Sequence, residues 1–480
     1  MKVLLIEPPS STSISMLPPI TLPTLKGFIN NHTSHEAKIL DLIFHGEDWQ
    51  DQVLEEINKE RPDIIGFSLL SFNYKLILSI ARFIKQQYQI PIIAGGVHAI
   101  LTPAEVLSQQ EIDIVCLGEG EYVLKELLDN HLECSTITGI WYKKNGTIIK
   151  NAPRELLTNL DLVGYPDFDD FDIERCLFIY NAHLPIMTSR GCPYSCSYCN
   201  NHALRKTLKG TYVRFRSVEH VIEEIDLRIK QYYNKGLRYF YFFDDTFILN
   251  TDFVLEFCRQ FKEKGFHRLI KWNVNIRANL VTDDLMRVMK DAGCYQVRMG
   301  IETANQFIRN TIYNRDMDNQ EIMNAVEIIK KNNLQLRLYF MIGAPLETVE
   351  MMQESLDMAD ALHADEVFFA LLYPLPGTDI LKLCENEHVL DQSQASSSFE
   401  VQPITKTKHA SSAQIQKFLR KVRNWQMKQY IKDGITLRGP LFIVDCLKFL
   451  FFYKQRYRFE MDQLFRWNVQ RYKLQKVWNQ

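Results

Sequence analysis

Long apolar runs are missing from this sequence. No stretch reaches the roughly 18 apolar residues that a membrane span needs, and the nearest, residues 441–452, is short and interrupted by Asp445 and Lys448. A buried or interfacial helix explains that segment better. No secretory leader is visible or expected either, since the opening apolar run Val3 to Ile6 is short and stops at Pro8-Pro9. Charge of one sign is missing: the net charge is −2, which gives no reason to expect nucleic acid. Repeats of fixed period and long low-complexity tracts are absent, which excludes solenoids and tethers. The expectation is a cytoplasmic protein with no transmembrane segment and no nucleic-acid partner. Such a chain has no use for a disulfide framework, because its compartment keeps thiols reduced. Its ten cysteines therefore need another account. Seven are scattered and read as small buried apolar residues.

With 480 residues, the chain is too long for one core and suggests two to four units at roughly 100–200 residues each. Residues 1–134 alternate strands (2–7, 38–42, 63–68, 91–94, 114–117) with helices (22–31, 53–59, 75–87, 103–109). That alternation predicts a parallel sheet covered on both faces, with ligands at the carboxyl ends of its strands. Residues 135–180 change character. Strands 140–144 and 147–150 flank Asn145-Gly146, a hairpin signal. An acidic loop follows at 165–170, and the whole segment reads as a connector. Residues 181–400 return to β/α alternation, with strands at 185–188, 239–243, 272–275, 296–299, 335–341 and 366–371. Helical patterns such as 218–232 and 283–291 lie between them. Six units are too few for a closed eight-stranded barrel and suit a partial one. Residues 401–480 lose the strand pattern, and 413–431 reads as helical. The tail after Phe449 carries Lys454, Arg456, Arg458, Arg466, Arg471, Lys473 and Lys476 among aromatics. It reads as helices with a solvated basic face, or as a surface for an anionic partner.

The remaining three cysteines cluster. Gly191-Cys192-Pro193-Tyr194-Ser195-Cys196-Ser197-Tyr198-Cys199 follows the first strand of the second alternating region, spaced Cys-x3-Cys-x2-Cys. Thiolates are the usual ligands of iron–sulfur clusters. Three of them on a four-iron cluster leave one iron open to a substrate. Zinc is the competing reading, but zinc favours four ligands in two separated pairs, and no second pair matches.

This motif, with an aromatic before its third cysteine and after a barrel strand, resembles the radical S-adenosylmethionine (SAM) superfamily, whose fold is a partial (β/α)6 TIM-type barrel. The resemblance implies that Cys192, Cys196 and Cys199 hold a 4Fe-4S cluster. The methionine amino and carboxylate groups of SAM chelate the open iron, and one electron breaks a carbon–sulfur bond. The resulting 5′-deoxyadenosyl radical takes hydrogen from substrate. Tyr198 would sit by the adenine. Further motifs fall at the strand ends: Asp244 in Phe242–Phe247, Asn275 and Arg277, Glu302 in Gly300–Thr303, and Gly343 in Gly343–Thr348. Tyr373–Thr378 follows the sixth strand. The family places these at the cofactor, Glu302 near its ribose or amino group. Taken singly, an acidic residue there serves equally as a helix cap.

In the first region, Gly95-Gly96 follows one strand and Gly118-Glu119-Gly120 another. Such glycines let backbone approach a large ligand, or simply make tight turns. Beside a radical SAM barrel they resemble the cobalamin-binding domains fused to many such enzymes. The Ser-x-Leu and Gly-Gly pattern stands here as Ser68-Leu69-Leu70 and Gly95-Gly96, with 24 residues between Leu70 and Gly95. Ser68 would line the slot for the nucleotide tail. The family's Asp-x-His-x-x-Gly pattern is not met: Asp41 to Gly46 has the wrong spacing, so His45 is not expected to ligate cobalt. His98 is the alternative.

The resemblance covers roughly residues 1–400. It implies an α/β architecture: a Rossmann-like doubly wound cobalamin-binding domain (1–134), a connector (135–180), a radical SAM partial barrel (181–400) and a helical extension (401–480). The implied reaction is cobalamin-dependent methylation of an unactivated carbon, methylcobalamin storing the methyl group. Cyclisation or oxidation without methyl transfer is the alternative. A methylthio-transferase would need a second cluster in the first domain, and no cysteine precedes Cys116. The intact triad argues against a non-catalytic cobalamin sensor. The implied partners are a small-molecule or natural-product substrate and an external electron donor of flavodoxin or ferredoxin type.

Overall fold

The structure is a computed structural model that describes residues 1–9, 19–390, 406–439, 441–444, 446, 468–474 and 477. Most of the basic tail lies outside the described residues, Arg471 and Lys473 excepted.

The amino-terminal half is built on β1 (Lys2–Glu7), β2 (Glu36–Asp41), β3 (Ile64–Ser68), β4 (Ile92–Gly95), β5 (Ile114–Cys116), β6 (Ile140–Lys144) and β7 (Thr147–Lys150). Their order is β2-β1-β3-β4-β5-β6-β7. The first five are parallel, and β6 runs antiparallel to β5 with Cys116 opposite Ile140. The Asn145-Gly146 hairpin therefore completes the first sheet, which runs past residue 134 to residue 150. Apolar runs such as Val3–Ile6 are buried on both faces, as parallel strands require. Helices Trp49–Glu60 and Tyr74–Gln87 cover one face through Val53, Ile57, Ile77 and Ile80. Helices Thr21–His32 and Gly120–Asp129 cover the other through Phe28, Ile29, Val123 and Leu127. That second core is continuous with the outer layer of the carboxyl-terminal half. The sheet order reverses between β1 and β3, the crevice where doubly wound sheets bind ligands.

The second half has β8 (His183–Ile186), β9 (Ser189–Arg190), β10 (Arg214–Phe215), β11 (Tyr239–Phe242), β12 (Lys271–Ile276), β13 (Cys294–Glu302), β14 (Gln335–Ile342) and β15 (Glu366–Leu371). Six of these form an all-parallel sheet ordered β15-β14-β13-β12-β11-β8, the expected partial barrel, while β9 and β10 pair separately. Strand β14 shows the layering: Leu336, Leu338, Phe340 and Ile342 are fully buried beneath helices, whereas Gln335, Arg337, Tyr339 and Met341 face the lumen. Loops leave the carboxyl ends of the strands and start the next helix on a side-chain cap: Ser217, Asn250, Thr282, Asp318, Thr348 and Thr378. Residues 468–474 close the opposite end, where the Leu474 carbonyl accepts from the Tyr239 hydroxyl at 3.1 Å and Gln470 donates to Glu366 at 2.9 Å.

Several boundaries differ from expectation. Strand β8 begins and ends two residues before 185–188, because Thr188 and Ser189 leave the strand to meet Asp244. A helix at Ile173–Ile179 occupies what read as connector. The helix expected at 413–431 runs over Ser412–Arg438.

Candidate active site

The cysteine loop is held from four directions. At its entry Gly191 has φ +91°, and a Cβ there would stand 2.4 Å from the Tyr212 carbonyl, so only glycine makes the turn. Asp244 accepts from the Thr188 amide (3.1 Å), the Thr188 hydroxyl (2.7 Å) and the Ser189 hydroxyl. Midway, Ser197 donates from its amide to Tyr313 (2.9 Å) and from its hydroxyl to Ile312 (2.6 Å), while its carbonyl accepts from Ile380 (3.0 Å). Asn314 donates to the Ser195 carbonyl at 2.9 Å.

Cations gather on the middle thiol. Arg277 and Arg315 each bring a guanidinium nitrogen to the buried Cys196 sulfur, at 3.7 and 3.8 Å. Arg277 also lies 3.9 Å from the centre of the Tyr194 ring. Asn201 donates to the Cys199 sulfur at 3.7 Å. Burial pushes the Cys199 thiol up to about 12, so its proton stays until a metal takes its place. Among the described residues, no three His, Cys, Asp or Glu side chains converge on the position of a single ion. Three thiols on one loop, with cations at the innermost sulfur, fit an anionic thiolate-bound cluster whose charge neighbouring donors offset.

Beside this loop Tyr198, Glu302 and Arg315 meet. Arg315 donates to the Tyr198 hydroxyl and to the Gly300 carbonyl, both at 2.6 Å, and stands 3.4 Å from the Glu302 carboxylate. The register of β13 slips between Gly300 and Glu302, and Glu302 takes φ +71°. A bulge of this kind re-aims a side chain at a functional site. It also explains Gly300, where a Cβ would lie 2.2 Å from the Glu302 carboxylate. Burial raises the Glu302 carboxyl, and Arg315 opposes that rise. The sequence reading missed Arg315. It lies in the loop after the Phe307–Ile312 turn, flanked by Asn314 and Asp316, both at positive φ.

Three expected cofactor residues are engaged within the protein. Asp244 is fully buried on Thr188 and Ser189, so it anchors the cysteine loop. Asn275 donates to the Tyr241 hydroxyl and to the Asp244 carbonyl. Gly343, at φ +98°, gives its amide to the Glu347 carboxylate at 2.7 Å.

A cavity of about 310 Å³ opens at the sheet's switch point. Ser68, Gly95, Gly96, Gly118, Glu119 and Gly120 all line it. Leu70 does not; its amide is taken by Asn73. Gly96 has φ +89°, and a Cβ would come within 2.7 Å of Leu69 backbone. Met187 and Arg190 line the same cavity from the barrel side. Arg190 pairs with Glu119 and with Glu121, each at 2.6 Å, and Arg214 pairs with Glu119 at 2.9 Å. Glu119 thus serves an ion network that joins the glycine loop to the start of the cysteine loop. Neither arginine was anticipated, because nothing local in the sequence marks a contact across 71 positions. His98 lies off the cavity, buried, with Nδ1 3.0 Å from the Ser71 hydroxyl; burial holds its imidazole down at about 4. His45 is partly exposed and bonded to Asp48 at 2.9 Å. The glycine-walled crevice fits an elongated ligand tail threaded into the sheet.

The sequence profile of the radical SAM superfamily matches residues 186–359, and that of the B12 binding domain matches residues 12–128. An uncharacterized methyltransferase of Pyrococcus horikoshii is 31% identical over 437 residues, covering 88% of this chain and 91% of that protein. The chain is a cobalamin-binding radical SAM enzyme. Its cofactors are accordingly a 4Fe-4S cluster, SAM and cobalamin. The radical SAM chain is also 25% identical over 348 residues to the anaerobic magnesium-protoporphyrin IX monomethyl ester cyclase of Rubrivivax gelatinosus, covering 69% of this chain and 60% of that one. Its fold matches the cobalamin-dependent SAM radical enzyme OxsB with a TM-score of 0.70, at 17% identity, over 99% of this chain and 79% of that one. Among the described residues no helix is long and apolar enough to cross a membrane.

Proposed function

We propose that this radical SAM enzyme transfers a methyl group to an unactivated carbon of a small molecule. The observation that carries the reading is the Arg190 bridge, which ties the glycine-lined cavity to the loop of Cys192, Cys196 and Cys199. Two cofactor sites that share a wall suit a reaction in which a radical is made beside a stored methyl group. The methyltransferase name of the Pyrococcus relative supports the same reading. When bound, the cluster and SAM supply the radical, and cobalamin supplies the methyl group.

The chain's residues have separate tasks. The three cysteines bind the cluster, and Arg277 and Arg315 set the charge around it. Arg315 fixes Tyr198 and Glu302 beside the position of SAM. Asp244 and Gly191 hold the loop in shape. Ser68, Gly95, Gly96, Gly118 and Gly120 give the corrinoid tail room. We take residues 1–150 as the cobalamin unit and 181–390 as the barrel, with a flavodoxin or ferredoxin as the reductant.

The test is anaerobic reconstitution with hydroxocobalamin, then reaction with SAM carrying a deuterated methyl group. About four irons and one cobalt per chain, with label in a product, are expected. In the same assay Cys196→Ala should abolish 5′-deoxyadenosine formation, and retained formation in a folded variant would sink the mechanism. The cyclase relative supports a second reading, in which the same cofactors act without methyl transfer. Product without label would select it.

A further inference from the structure

The outer layer of the barrel is apolar, and its inner layer is not. Arg298, Arg337 and Glu366 occupy neighbouring register positions on β13, β14 and β15. Arg337 is ion-paired with Glu366. The same carboxylate also accepts from Gln296 and Gln470, so it is fully engaged. Arg298 has no carboxylate within 4.0 Å among the described residues. It lies 4.0 Å from the centre of the Tyr241 ring, and its Nε donates to Gln296 at 3.2 Å. The lumen at this level therefore holds two guanidiniums against one carboxylate.

This row is not sealed off. Tyr241, Asn275, Arg298, Arg337, Tyr339 and Phe368 are each partly accessible, while their neighbours along the strands pack against helices. Beneath them Tyr239, Tyr295 and Leu474 pack together and close that end of the barrel. Tyr339 reports the field there. Burial alone would raise its phenol, yet Arg337 and Arg298 outweigh burial and hold it below the usual range. An unpaired guanidinium in so sheltered a place is expensive unless a partner arrives. Arginine, with its planar fork, suits an oxyanion.

We propose that Arg298 is a substrate-binding residue that holds an oxyanion, a carboxylate or a phosphate or phosphonate group, carried by the small molecule that enters the barrel. The inference rests on the proposed chemistry on a small molecule, and it names that molecule's class.

Equilibrium dialysis of the reconstituted enzyme tests it, with SAM and cobalamin present so that their own anionic groups are already placed. Radiolabelled inorganic phosphate and acetate are the probes. Saturable binding of at least one, at about one per chain, is expected, with tighter phosphate indicating a phosphoryl substrate and tighter acetate a carboxylate. Arg298→Gln should weaken that binding at least tenfold, and Arg298→Lys should restore part of it. Arg298→Lys, which keeps the cation but loses the planar fork, keeps the test open if Arg298→Gln fails to fold, and should bind the anion several-fold more weakly than the wild type. No saturable binding by the wild type, or equal binding by Arg298→Gln, overturns the proposal. So does a loss of SAM binding in Arg298→Gln without a loss of phosphate or acetate, which would assign the guanidinium to SAM. Wild-type 5′-deoxyadenosine formation is scored separately. Radical formation without anion binding removes the oxyanion site alone, and Arg298-dependent anion binding without radical formation removes the proposed function alone.

Discussion

Glu347 is a carboxyl group with no room for its charge. It is fully buried, one oxygen accepting from the Gly343 and Ala344 amides at 2.7 and 3.2 Å, the other without a partner among the described residues. Burial pushes it up to about 8 from an ordinary 4.5. Its folded-state value lies above its unfolded one, so the unfolded chain loses this proton first. The group's contribution to stability is full below about pH 4.5 and declines as pH rises toward 8. Glu347→Gln should therefore gain on the wild type as pH rises, by several degrees in melting temperature between pH 5.5 and 8.5. A difference that stays constant across that range would contradict the assignment. Gly191 offers a second check. Gly191→Ala must place a methyl 2.4 Å from the Tyr212 carbonyl at a positive φ, so iron per chain after reconstitution should fall to less than half the wild-type amount. Arg315 and Asp244 show where residue-level reading stops. The order of motifs at the strand ends was legible, but which carboxylate stands beside Tyr198 and which turns inward depends on neighbours such as Arg315, Thr188 and Ser189.

At the scale of elements, periodicity carried most of the fold. The β6–β7 hairpin falls at its expected boundaries because Asn145-Gly146 prescribes the turn. Strand β15 falls where its alternating pattern runs, and helices Val218–Tyr232 and Asp283–Asp291 start directly after the capping residues Ser217 and Thr282. What escaped was tertiary: the hairpin's place in the first sheet, and the ends of β8. Neither has a local signal. The glycine loop after β5 and the strand β9 are likewise joined by contacts invisible in sequence. Arg190 is the shared partner of Glu119 and Glu121, and its removal leaves Glu121 without that cation. Stranding a buried charge costs on the order of 3–5 kcal/mol. Arg190→Gln should accordingly weaken cobalamin binding about tenfold in a spectroscopic titration, with Arg190→Lys intermediate. Unchanged affinity would show that the bridge has no bearing on the cavity.

Over the whole molecule, the cavity wall comes from both halves, since Met187 and Arg190 face it alongside Gly96 and Gly118. Hydroxocobalamin should slow amide exchange at residues 95–101 and 118–124, and also at 187–190 in the barrel. Protection confined to the first half would contradict the shared wall. The same bridge bears on how the protein is assembled. Arg190 stands two residues before Cys192, so an arrangement of that arginine that suits the corrinoid also sets the entry to the cluster loop. Equilibrium linkage is reciprocal. Whatever factor a loaded cluster adds to the chain's grip on the corrinoid, the corrinoid must return to the cluster in equal measure. A chain short of iron would then hold its corrinoid with altered affinity, and a chain short of cobalt its cluster, by the same factor.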